Sequence, residues 1–113
     1  MEYRLIYITA SNRDEARRIA RTLVEERLAA CANVVSPIDS FYWWQGKVNE
    51  AGEIALFAKT RAELVEAVIA RVRALHSYSV PCVVALPILA GNPAFLDWIG
   101  AETRAPEAAR RKR

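Results

Sequence analysis

The stretch FYWWQGKV, residues 41–48, decides the fold because it marks where one strand ends and the next begins. Within it, Gly46 stands between two β-forming runs, and glycine accepts the positive φ that a two-residue hairpin turn requires. We therefore predict a hairpin whose strands cover about residues 32–44 and 47–59. Pro37 has no N–H to donate to a sheet, so it predicts a bulge or an edge position in the first of these strands.

The segment before the hairpin predicts one strand and one helix. Residues 3–9, YRLIYIT, are β-branched and aromatic, which is typical of a buried strand. Asn12 followed three residues later by Glu15 resembles a capping box. Apolar residues then recur at helical spacing as far as Leu28, with charged residues largely on the other faces. This pattern predicts an amphipathic helix.

The segment after the hairpin repeats the pattern. Thr60 with Glu63 fits the capping box T-x-x-E, and the apolar stripe of the second helix ends near His76. Residues 82–89 are apolar and predict a last strand. Asn92 as an N-cap and Pro93 at the first helical position predict a short third helix.

The predicted order is β-α-β-β-α-β followed by a short helix, which is the ferredoxin-like α+β arrangement. Right-handed crossovers place both long helices on the same face of the sheet. Only the third helix, the tail or a partner is then left to cover the opposite face. We predict a single domain over residues 1–104 and a basic, disordered tail over residues 105–113.

The aromatic run predicts an oligomer. Because strand side chains alternate, Phe41 and Trp43 share one face of the hairpin while Tyr42 and Trp44 share the other. Each of these side chains buries on the order of 150–250 Å² when covered, and one small domain has little left to cover them. We favour burial between subunits. The alternative is a local aromatic cluster packed by the third helix.

Charge and composition exclude several classes of partner. The net charge is +3, and residues 110–113 alone supply four positive charges, so the body of the chain has no basic excess for nucleic acid. No apolar run approaches the ~20 residues that span a bilayer, and no signal-peptide pattern is present. We expect a cytoplasmic protein without a membrane partner, in which Cys31 and Cys82 are reduced.

Five segments in chain order carry a resemblance to a known family. They are ERLAACANV (26–34), SFYWWQGKV (40–48), EIALFAKT (53–60), LHSYSVP (75–81) and ALPI…GNPAFLDWI (85–99). Together they are similar to the CutA family of divalent-cation tolerance proteins over about residues 4–103. The resemblance implies a tightly packed homotrimer of ferredoxin-like subunits, associated with copper and other divalent cations. The aromatic residues expected at the trimer interface are Phe41, Tyr42, Trp43, Trp44 and Trp98.

Two residues are candidate metal ligands. His76 stands at the family's motif position, and the thiol of Cys82 would favour a soft metal if it were exposed. The alternatives are a helix cap or hydrogen-bonded surface residue for His76 and a buried, inert thiol for Cys82. Where some family members carry proposed copper ligands, this chain has Ile8 and Leu75, which cannot bind a metal. The cofactor we expect is copper or another divalent metal, and folding does not require it.

A polar cleft is the second candidate site. Lys59 precedes the predicted cap Thr60, and helix N–H groups can bind an anion, so a carboxylate or phosphate is a candidate ligand. Glu53 and Tyr78 are assigned to the same cleft. The alternative is a structural ion pair at the end of the strand.

Enzymatic function is not expected, because the sequence has no nucleophile elbow, P-loop or G-x-G-x-x-G pattern. We expect a non-catalytic homotrimer that binds a metal or small ligand between subunits. One alternative is a regulatory trimer for a small anion, since the family trimer resembles the PII signal-transduction proteins. Another is an RNA-binding module of the same strand order, although Phe57 is the only aromatic residue on the third strand.

Overall fold

The computed structural model describes residues 1–105 and confirms the predicted order of elements. Only residue 105 of the predicted tail falls within them, and the disorder predicted for residues 106–113 lies outside the described part of the chain. A single 3₁₀ turn, Ala62–Leu64, precedes the second helix. The elements are β1 (Tyr3–Ala10), α1 (Arg13–Glu25), β2 (Cys31–Trp44), β3 (Lys47–Arg61), α2 (Val65–Leu75), β4 (Val83–Ile88) and α3 (Pro93–Glu102).

The four strands form one antiparallel sheet in the order β2-β3-β1-β4, which confirms the ferredoxin-like α+β prediction. Helices α1 and α2 pack on one face of this sheet, as the right-handed crossovers require. The core lies between them and alternate strand residues such as Ile6, Ile8 and Leu56, which are fully buried. No helix within residues 1–105 is long and apolar enough to cross a membrane.

The opposite side of the sheet, which we call the open face, is only partly covered. Helix α3 covers one end of it, where Ile99 packs on Tyr3. Farther along, Tyr7 contacts Phe57 with ring centroids 5.3 Å apart. On the edge strand β4, Val84 is 50% exposed and Leu86 is 44% exposed. A row of apolar side chains on a sheet face is therefore left in contact with solvent.

Beyond the pairing of Ala10 with Ile54, β2 and β3 continue alone as a two-stranded ribbon. The register shifts between Val34 and Pro37, so the bulge predicted for this proline is present. Phe41 and Trp43 lie on one face of the ribbon and are 68% and 74% exposed. The alternative of a local aromatic cluster is therefore not realised for these two side chains.

Three helix-end predictions have different outcomes. Asn12 caps α1, since its Oδ1 accepts the N–H of Glu15 at 2.8 Å. The helix ends at Glu25 rather than at Leu28, because the backbone of Arg27 is left-handed (φ 60°). Asn92 caps α3. The Thr60 cap is wrong: β3 continues to Arg61, and the Thr60 hydroxyl donates to the carbonyl of Leu28 at 2.6 Å inside the core.

The hairpin turn offers a direct test of the local sequence. Gln45 and Gly46 have φ of 51° and 80°, the double left-handed pattern of a type I′ turn. Gly46→Ala should therefore lower the free energy of unfolding by about 1 kcal/mol, whereas Gln45→Asn should raise it by a few tenths, roughly, since asparagine tolerates this region. Urea denaturation at fixed protein concentration measures both changes. Gly52→Ala is the matched control, because Gly52 lies on the same ribbon without positive φ and with nothing within 4 Å of the added methyl. An equal loss at both glycines would contradict the turn argument.

Candidate functional site

A cavity of about 500 Å³ lies on the open face, between the ribbon and the loop that joins α2 to β4. Alternation along β2 sends Ser40, Tyr42 and Trp44 to this side, and Glu53 faces them from β3. The loop supplies the opposite wall. The lining residues are Thr9, Ser40, Tyr42, Trp44, Glu53, Tyr78, Ser79, Val80 and Cys82.

The carboxylate of Glu53 is the one charged group in the lining. The residue is 9% exposed and faces the cavity from the centre of its strand. Burial, together with the neighbouring Glu53 carboxylate, raises the pKa of Tyr78 to about 12. The raised pKa keeps Tyr78 a neutral phenol well above physiological pH, and the only carboxylate in the cavity lining is that of Glu53, among aromatic side chains.

His76 positions the loop that forms one wall of the cavity. Its ring Nε2 lies 2.7 Å from the carbonyl oxygen of Thr9, and its Nδ1 accepts the N–H of Tyr78 at 3.0 Å. These partners define a neutral ring with its proton on Nε2, because a carbonyl can only accept and an N–H can only donate. The side chain is fully buried. Both ring nitrogens are thus in use, and a metal ion would have to displace one of these hydrogen bonds.

Glu15 is the second anchor of this loop, a role that sequence reasoning missed. Its carboxylate accepts the N–H and the hydroxyl of Ser11, each at 2.9 Å, and the N–H of Ser77 at 2.8 Å. Burial by itself would raise the pKa of Glu15, but the hydrogen bonds from Ser11 and Ser77 outweigh it and lower the pKa to about 2. Asn12 and Glu15 could be recognised as a helix start, whereas a contact with a serine 62 residues away has no local signal.

The predicted cleft is brought together only in part. Glu53 and Tyr78 line the cavity, and the metal candidate Cys82 joins them. Lys59 lies six residues along β3 from Glu53, roughly 20 Å away, and its Nζ donates to Asn33 Oδ1 at 2.7 Å. Thr60 points to the other side of the sheet, so it shares no cleft with Lys59.

The candidate metal ligands do not assemble into a cluster. Within the described residues no group of three or more His, Cys, Asp or Glu side chains could hold a metal ion. One chain offers the cavity one carboxylate and one thiol, from Glu53 and Cys82, which is fewer than the four ligands that zinc usually takes. Metal binding through His76 or Cys82 stays a prediction.

The predicted interface residues are all exposed in the single chain. Tyr42 and Trp44 lie on the cavity side of the ribbon, and Phe41 and Trp43 on the other side. Trp98 on α3 stacks beside Phe95 with ring centroids 5.4 Å apart. Three aromatic surfaces, the two sides of the ribbon and the exposed side of α3, are thus available for contact with other chains.

The sheet order and the cavity on its open face define an α+β protein of the ferredoxin-like class, with a pocket of small-molecule size. The family model for the CutA1 divalent ion tolerance protein matches residues 4–102. The chain therefore belongs to the CutA divalent-ion tolerance family.

Individual relatives agree with this assignment. The divalent-cation tolerance protein CutA of Archaeoglobus fulgidus is 50% identical over 97 residues, which are 86% of this chain and 94% of that protein. A solved structure of the periplasmic divalent cation tolerance protein CutA from the same organism has a TM-score of 0.87 at 48% identity, covering 90% of this chain and 99% of the other. The chloroplastic protein CutA 1 of Oryza sativa is 44% identical over 100 residues, 88% of this chain, which spans 56% of the rice protein.

Proposed function

We propose that this chain is a non-catalytic homotrimer that contributes to divalent-cation tolerance by binding a metal ion or small ligand in clefts between its subunits. The observation that carries the proposal is the open face, where exposed apolar residues continue directly into the cavity around Glu53. A neighbouring subunit on this face would cover both together. Family membership supports the link to divalent ions, and the resemblance stated above implies the trimer.

The energetics of the exposed residues support assembly. Val84, Leu86, Tyr42 and Trp44 lie on the open face and are each more than two-fifths exposed. Removing apolar surface from water stabilises an assembly by roughly 25 cal/mol per Å². A stable interface usually buries about 800 Å² on each partner, and the exposed apolar side chains of the open face and the ribbon are available for such burial.

The proposed regulatory alternative, with a small anion as ligand, has less support. Glu53 is the one charged group that lines the cavity, and it would repel an anion. Lys59, the cation expected to attract one, is bound to Asn33 elsewhere on the sheet. The cytoplasmic location remains a proposal, since related proteins are named as periplasmic or chloroplastic.

Light scattering coupled to gel filtration tests the assembly. The expected mass is three times the 12.7 kDa of one chain at micromolar concentration. A single-chain mass under these conditions would remove the basis of the proposal, because the clefts would then not exist.

Calorimetric titration with Cu(I), Cu(II) and Zn(II) tests the metal prediction. We expect Cys82→Ser to weaken Cu(I) binding at least tenfold, since a thiolate is a much better ligand for a soft ion than a hydroxyl. His76→Ala is the comparison variant, and its buried ring makes two hydrogen bonds that a ligand role would have to break. If His76→Ala loses the metal while Cys82→Ser keeps it, the ligand is the histidine and the cavity thiol is not involved.

A further inference from the structure

The cavity on the open face combines one buried acid with aromatic walls. Glu53 supplies the carboxylate, and among residues 1–105 no Lys, Arg or His forms an ion pair with it. Its neighbour in the cavity is the hydroxyl of Tyr78, whose pKa it helps to raise. Rings of Tyr42, Trp44 and Tyr78 surround the same space. A buried carboxylate is costly unless a positive group compensates it. This arrangement favours a cation over a neutral or anionic ligand.

The shape of the cavity indicates which kind of cation fits. A volume of about 500 Å³ is in the range of small-molecule pockets and far larger than a bare metal ion needs. Within the described residues there is no cluster of three metal-binding side chains to fill the remaining coordination sites. Aromatic faces carry partial negative charge and attract cations that have little hydration of their own. A substituted ammonium group spreads its charge over methyl groups, so it suits apolar walls better than a hydrated metal ion does.

We propose that the open-face cavity binds a small organic cation with a methylated ammonium group, held by the carboxylate of Glu53 and the rings of Tyr42, Trp44 and Tyr78. This inference rests on the proposed function, because it names the ligand class of the same cleft. The hydroxyls of Thr9, Ser40 and Ser79 line the cavity as well and offer hydrogen bonds to a polar tail of the ligand. The hydroxyl of Tyr78 is a further hydrogen-bonding group in the cavity lining.

Calorimetric titration of the full chain with choline tests the proposal against its neutral carbon analogue, 3,3-dimethyl-1-butanol. The two probes have nearly the same shape and differ in charge. We expect saturable choline binding that is roughly tenfold or more tighter than binding of the neutral probe, as expected for a desolvated cation beside a carboxylate and rings. Equal affinity for the two probes would overturn the proposal, since the cavity would then recognise shape alone. Absence of saturable choline binding would also overturn it.

Two acid-to-amide variants test whether the carboxylate of Glu53 is the one that binds the cation. Glu53→Gln keeps the shape of the side chain and should weaken choline binding roughly tenfold or more. Glu50→Gln is the matched control, because Glu50 lies on the same strand, pairs with Phe41 and points to the opposite face. It should leave choline affinity within about twofold, since exposed charges across the ribbon are screened by salt. An equal loss in both variants, or none in Glu53→Gln, would overturn the assignment.

Light scattering and metal titration on the same samples separate this inference from the proposed function. If the protein is a trimer that binds copper through Cys82 but ignores choline, the ligand class is wrong and the proposed function stands. If the protein is a monomer that binds choline through Glu53, the assembly is wrong and the cation site stands. Tyr42→Leu provides a further check, since loss of the ring should weaken choline binding more than binding of 3,3-dimethyl-1-butanol.

Discussion

Val84→Glu is expected to convert the proposed trimer into single chains at micromolar concentration. Val84 is the second residue of β4, pairs with Tyr7 on the open face and is half exposed in the single chain. The isolated fold should therefore tolerate the change with a loss of about 0.5 kcal/mol or less. An assembly that buries this face would instead have to bury a carboxylate from each chain. An unpaired buried charge costs several kcal/mol, and a trimer contains three of them.

Light scattering measures the mass of the variant, and circular dichroism verifies that it is folded. Ala70→Glu is the control, because it adds the same charge on the exposed surface of α2, on the far side of the core from the open face. This control should keep the mass of three chains. A trimeric, folded Val84→Glu protein would show that the open face is not the buried interface. In that case the ribbon face with Phe41 and Trp43, or the α3 surface with Trp98, would have to form the contact.

Glu15→Gln is expected to lower the free energy of unfolding by about 3 kcal/mol at pH 7. The carboxylate is buried and accepts three hydrogen bonds, from two groups of Ser11 and the N–H of Ser77. Its pKa falls from 4.5 to about 2 on folding, and each pKa unit corresponds to 1.36 kcal/mol. The glutamine amide also places an NH₂ group, which can only donate hydrogen bonds, close to N–H groups that need an acceptor. The loop that carries Tyr78 should loosen as a result.

The same residue predicts a pH dependence with a definite sign. Because the folded pKa of Glu15 lies below the ordinary value of 4.5, its stabilising contribution is complete above about pH 5. The contribution is lost as the pH falls from about 4.5 towards 2. Urea denaturation at pH 7, 4 and 2.5 should therefore show that the free energy of unfolding decreases less for Glu15→Gln than for the wild type as the pH falls. Protein concentration has to be held fixed, since assembly also contributes to stability.

Glu25→Gln is the matched control on the same helix. Glu25 is exposed and forms a single i,i+4 ion pair with Arg21 at 3.1 Å. Such surface pairs stabilise by about 0.5 kcal/mol or less. The control should thus change stability little at any pH. If both variants show the same pH dependence, the anchoring role of Glu15 is wrong.

The parts of the structure that were predictable from sequence depend on neighbouring residues. The turn at Gln45 and Gly46 follows from the φ values that glycine and a two-residue loop permit. The cap at Asn12 follows from the N–H groups at the start of a helix, which have no acceptor within the helix. The strand order follows from the alternation of elements and the handedness of crossovers. Each of these rules applies within about a dozen residues or to topology as a whole.

Thr60 and Lys59 show where that kind of reasoning fails. The T-x-x-E sequence at Thr60 matches the capping-box pattern, but β3 continues to Arg61. The threonine lies in the core, where its hydroxyl donates to the carbonyl of Leu28. Lys59 has the positive charge that would attract an anion, but its Nζ already donates a hydrogen bond to Asn33 on the neighbouring strand. In both cases a partner about 26 to 32 residues away determines the role of the side chain.

For this protein the sequence by itself determined the elements, the ferredoxin-like order and the hairpin, because hydrophobic periodicity and turn chemistry are local properties. It also indicated that the aromatic run has too little cover within one chain. Only the tertiary structure decided that Glu53, Tyr78 and Cys82 line one cavity, and that Glu15 and His76 hold the loop beside it. Those contacts join residues distant in the chain through packing and hydrogen bonds, and no local pattern specifies which of the possible partners will meet.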